Sequence, residues 1–112
     1  MAFSLAEERL FKATVGIKIP TGVDAFDNQA VICEYKIITE SEMAATIKAG
    51  GDRAVLNLIL KSVEGFIDDE GEAIYLDSGL LDAIVDRSYL MQPIIQTYYN
   101  RIAGNEPALK NV

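Results

Sequence analysis

The stretch "FKATVGIKI", residues 11–19, sets the first constraint on this chain. Phe11, Ala13, Val15, Ile17 and Ile19 alternate with Lys12, Thr14, Gly16 and Lys18. Successive side chains of a strand point to opposite faces, so this order predicts one apolar and one polar face. Pro20 has no amide to give to a ladder, and the strand is expected to end there. "TGVDAFDN" supplies turn residues. "QAVICEYKIIT", residues 29–39, then predicts a second strand. Val31, Cys33, Tyr35 and Ile37 would share one face, with Glu34 and Lys36 on the other. The two strands are close enough in sequence to pair antiparallel.

An isolated hairpin is marginal in water, so its apolar face needs a cover. The rest of the chain supplies helical patterns. Thr39 and Glu42 have capping-box spacing ahead of a short helix from about Glu40 to Lys48, which presents Met43 and Ile47. Gly50 and Gly51 should stop it. Asp52 is placed to cap the next helix, "RAVLNLILKSV", whose apolar residues cover most of its circumference. Asp77 or Ser78 should cap a third helix, with Leu80, Leu81, Ile84 and Val85 on one side and Asp82 and Asp86 on the other. Leu90, Met91, Ile94, Ile95, Tyr98 and Ile102 form the stripe of a fourth. Pro93 should kink that helix or mark its first turn, and Gly104 should stop it. Ser4 and Glu7 also have capping-box spacing, compatible with a short helix or an extended lead-in.

The expected fold class is therefore α+β: an N-terminal antiparallel β-hairpin followed by about four helices, with a short acidic β-hairpin between the second and third. Residues 1–104 are expected to form one domain and residues 105–112 a flexible tail.

The acidic insert, "EGFIDDEGEAIYLD", invites a metal reading. A calcium loop of the EF-hand kind wants oxygen ligands first, third, fifth and twelfth, with glycine sixth. Placing Gly71 sixth puts Asp68, Glu70 and Asp77 correctly but leaves Phe66 first, where a carboxylate belongs. "DDEG" suits a hairpin turn better. No metal and no cofactor are expected.

Chemistry is otherwise constrained by what is missing. The chain has no histidine, which removes the commonest general base and metal ligand. Cys33 is the single cysteine and sits in a strand-like run, as a small buried hydrophobe would. Neither "GIKIPTG" nor "KAGGDR" has the spacing of a phosphate-binding loop. Asp82 and Asp86, one helical turn apart, read as a solvated face. Non-enzymatic function is the expectation. The net charge of −7 with scattered basic residues gives no footprint for nucleic acid. "MAFSLAEERLFK" does not resemble a secretory leader, and no apolar run reaches the ~20 residues that span a bilayer, so no membrane partner is expected and the chain reads as intracellular and soluble.

Two places carry apolar residues in excess of one buried face. The Val55–Leu60 helix is apolar nearly all round, and Tyr98 and Tyr99 lie inside and at the edge of the last stripe. Val55, Leu58, Ile59, Tyr98 and Tyr99 are the candidate partner-binding residues, with core packing as the competing explanation. The same surfaces would also serve a homo-oligomer.

Four stretches, "LFKATVGIKIP", "AVICEYKIITESEMAATI", "LKSVEGFIDDEGEAIYLDSGLLDAIVD" and "SYLMQPIIQTYYNRIAGNEPALKN", carry a resemblance over nearly the whole chain. In this order they resemble the small tail assembly chaperones of long-tailed bacteriophages, of phage or prophage origin. Where the family often has tryptophan near the Glu-Gly step, this chain has Val63. The resemblance implies a non-enzymatic protein of the bacterial host cytoplasm, absent from the mature virion. It implies binding to the tape-measure protein and recruitment of tail-tube subunits. Many such chaperones are made in two lengths by a programmed frameshift, and "LKN" at residues 109–111 is compatible with a slippery run of adenines. The rival expectation is a tail-completion or connector subunit that stays in the particle.

Overall fold

The computed structural model describes Leu5 and residues 8–104. The expected tail at 105–112 and the Ser4–Glu7 pair lie outside those residues. The elements run β1 (Leu10–Gly22), β2 (Ala25–Lys36), α1 (Glu40–Ile59), β3 (Leu60–Glu64), α2 (Ser78–Val85) and α3 (Ser88–Ile102). The fold is α+β with an N-terminal hairpin, but its details correct the expectation. Among the described residues there are three helices rather than four, the sheet has three strands, and no acidic hairpin separates two helices.

β1 and β2 pair antiparallel from Leu10 opposite Lys36 to Gly22 opposite Ala25. The alternation reads through as expected: Ala13, Val15, Ile17, Val31, Cys33 and Tyr35 are buried and their neighbours are not. The strand does not end at Pro20. β1 is an edge strand, and a residue without an amide is tolerated there. The register shifts between Pro20 and Gly22, and Asp24 turns the corner with φ +55°, a conformation aspartate adopts more readily than most residues.

The largest correction concerns "RAVLNLILKSV". Read as one helix, it is apolar on nearly every side. The chain instead leaves the helix after Ile59 and forms β3 from Leu60. Split there, each half has one buried face: Val55, Leu56 and Ile59 on α1, Leu60 and Val63 on β3. β3 fills the open edge of β2 from Ile32 to Tyr35, giving the order β1-β2-β3. Unpaired backbone groups on a buried sheet edge are costly, and that demand outweighs helix propensity over five residues. Upstream, the two expected short helices are one element broken at Gly51, whose φ of +65° and ψ of −150° are not helical. The capping box forms as expected, Thr39 Oγ1 accepting from the Glu42 amide at 3.1 Å.

The acidic segment forms a single antiparallel bridge between Ile67 and Ala73 and no strands. Its tightness comes from Asp68. The carboxylate accepts from the amides of Glu70 and Glu72 at 2.9 and 3.0 Å, closing the turn locally. Asp77 Oδ1 caps α2 through the Leu80 amide at 2.8 Å. Leu80, Leu81 and Ile84 point inward, and Asp82 pairs with Arg53 across the surface between α2 and α1. In α3, Ile94 and Tyr98 lie in the core, and the helix runs through Pro93 without a break in its assignment.

Candidate functional site

The sequence-derived contact residues fall into two groups. Val55 and Ile59 face the sheet from α1 and are fully enclosed, and Tyr98 is only 2% exposed. These three lie in the core, where α1 and α3 pack their apolar faces onto the sheet. Leu58 is half-buried and Tyr99 is 40% exposed. Those two alone of the five retain open surface.

Tyr98 belongs to an aromatic cluster at the root of the hairpin. Its ring centroid lies 5.6 Å from Tyr35 and 6.1 Å from Phe11, and Phe11 stacks on Tyr35 at 5.0 Å. Such offset and tilted contacts add to plain burial. The polar ends are satisfied. Tyr35 donates to the carbonyl of Ile94 at 2.6 Å, and the Tyr98 hydroxyl accepts from the Ile38 amide at 3.1 Å. Two tyrosines thus tie α3 to the end of β2 by hydrogen bonds as well as by area. Tyr99 packs edge-on against Tyr98 and its hydroxyl reaches Met43 Sδ at 3.4 Å, joining α3 to the start of α1.

Burial raises the pKa values of this cluster. The Cys33 thiol is pushed up to about 11 by desolvation, offset in part by the neighbouring Tyr35 hydroxyl. Tyr35 is raised by burial first and then by Cys33, and Tyr98 is raised by burial first. A buried, protonated thiol is a packing group and a poor nucleophile. Among the described residues no group of three or more His, Cys, Asp or Glu side chains could hold a metal ion.

The surface that sequence reasoning missed is at the other end of the hairpin. From Lys18 to Ala30 only Ile19 is partly covered. β3 reaches no further along β2 than Ile32, because Gly65 turns the chain away with φ +110°. A Cβ at Gly65 would meet Val31 at 3.2 Å, so glycine is what lets the turn sit this close. The outer hairpin is left as a two-stranded arm. Its tip exposes Val23 at 94% and Phe26 at 55%. Beneath its root lies an apolar groove of about 250 Å³, floored by Ile17 and Val31, walled by Ile19, Phe66 and Leu90, with Arg87 beside it. The signal in the sequence was "TGVDAFDN", in which a turn carries an aromatic and a valine.

Comparison with protein-family models, with curated proteins and with solved structures finds no match.

Proposed function

We propose that this protein is a non-enzymatic tail assembly chaperone of a long-tailed bacteriophage, which holds the tape-measure protein and helps to recruit tail-tube subunits. The observation that carries the reading is the ordered resemblance of four stretches covering nearly the whole chain. Surface chemistry supplies a mechanism. A long apolar helix aggregates when bare. A small partner with a charge of −7 that covers part of it keeps the complex dispersed by repulsion.

Release must follow, which favours several weak contacts over one tight one. The uncovered apolar groups are dispersed in that way. Leu58 lies on α1, Tyr99 on α3, and Val23 and Phe26 on the arm. The buried residues Val55, Ile59 and Tyr98 hold these surfaces in place and do not contribute contacts themselves.

Co-purification with the tape-measure protein encoded beside it tests the proposal. Binding that weakens when Leu58 and Tyr99 are replaced by serine is the expected result. Absence of binding by the chain and by any frameshifted longer product overturns it. Mass spectrometry of purified virions is the second arm: the chain should be missing, and stoichiometric presence would make it a structural tail component instead.

A further inference from the structure

We propose that the hairpin tip of one copy docks in the apolar groove at the arm's root in a second copy, reciprocally, giving a two-fold dimer. The two surfaces match in chemistry. The groove is apolar, and Arg87 is the one charged residue lining it. Arg87 donates to the Ala83 carbonyl at 3.0 Å, and no carboxylate among the described residues pairs with it. The tip presents the complement: Val23 and Phe26 are exposed, Asp24 lies between them, and Asp27 follows, one of its oxygens accepting from Gln29 at 3.1 Å. An acidic, apolar finger therefore faces an apolar slot with a cation beside it. Charge of opposite sign across such a contact fixes its register.

The occupant has to be another copy. β1 and β2 are paired as far as Gly22 and Ala25, which holds the tip away from its own groove. Val23 lies four residues beyond Ile19, roughly 13 Å along the strand. Groove and tip sit on the same arm, so a two-fold arrangement with the arms side by side can seat both tips at once. That reciprocity closes the contact with two-fold symmetry and no free end. The groove, about 250 Å³, falls just below the roughly 300–1,000 Å³ of typical small-molecule sites and suits one or two side chains.

The other self-association open to this fold is edge pairing of β1 with β1. Centred on Val15, an antiparallel pair would set Lys12 of one copy opposite Lys18 of the other. Like charges directly opposite are unfavourable, and lysine on an edge strand discourages pairing.

The dimer stands independently of the tail role, since neither needs the other. Sedimentation equilibrium of the full chain is the test. The wild type should dimerise. Val23→Ser with Phe26→Ser, both exposed in the monomer, should weaken the dimer at least about tenfold with an unchanged melting curve. Arg87→Asp should do the same, and Arg87→Asp combined with Asp27→Arg should restore association. A wild type monomeric up to about 1 mM overturns the proposal. So does a dimer that survives the tip variant, or one lost in Arg87→Asp and not recovered in the charge swap.

Discussion

At the root of the β1–β2 hairpin, Phe11 lies opposite Tyr35 and both pack against Tyr98. At its tip, Pro20 lies opposite Phe26, and Phe26 stays more than half exposed. The same two strands make both ends, with the same antiparallel register. What differs is the company. α3 and β3 cover the root, and the chain turns away at Gly65 before reaching the tip. The root therefore serves stability and the tip is free to serve contact.

Substitutions at the two ends should separate these roles. Tyr35→Ala should have the largest effect, about 3–5 kcal/mol of lost stability, because it removes a fully buried ring together with its hydrogen bond to the Ile94 carbonyl. Denaturant unfolding reads this directly. Tyr35→Phe keeps the ring and should cost only about 1–2 kcal/mol; an equal loss from both would mean that the hydroxyl, rather than the packing, holds the root.

Gly51→Ala should come next, at roughly 1–3 kcal/mol, since φ +65° with ψ −150° is a region that residues with a Cβ avoid. A stabilised Gly51→Ala protein would show that α1 prefers to run straight.

Alkaline titration is expected to give a smaller effect. An exposed thiol titrates near 9.0, and burial pushes Cys33 up to about 11 in the folded chain. The unfolded chain therefore releases this proton first, and its contribution is complete below pH 9 and fades as pH rises towards 11. The loss should be about 1 kcal/mol at pH 10. Burial of Tyr35 and Tyr98 acts in the same direction at higher pH. Cys33→Ala should remove the part of the slope that begins near pH 9; an unchanged slope would assign it elsewhere.

The smallest effect belongs to the tip. Val23→Ser should change monomer stability by less than about 0.5 kcal/mol, because the side chain is exposed. A larger loss in thermal melts of dilute protein would make the arm part of the folded core and erase the contrast between the two ends.

Much of this could be read from local pattern. The alternation of Phe11 to Ile19, the Thr39–Glu42 box, the Asp77 cap and the Gly104 stop all emerged where the residues placed them. Each depends on neighbours within a few positions. The failures share a different cause. Leu58, Ile59, Leu60 and Val63 fit a helix and a strand about equally well, and only the unfilled edge of β2 decides between them. Val55, Ile59 and Tyr98 looked like spare apolar surface because the area needed to cover a hairpin face cannot be counted from one segment.

The acidic stretch followed the same rule. Its register argued against a calcium loop. Only the folded chain showed that Asp68 is occupied with the amides of Glu70 and Glu72, and that one bridge replaces the expected strands. By itself the sequence determined the α+β class, the hairpin, its buried face and the caps at Thr39 and Asp77, since these arise from side-chain period and local hydrogen bonds. The tertiary structure decided where α1 yields to β3, which apolar residues are core, and which part of the hairpin stays bare. Those outcomes depend on contacts between residues far apart in the chain, and burial is settled only when every element has found its partner.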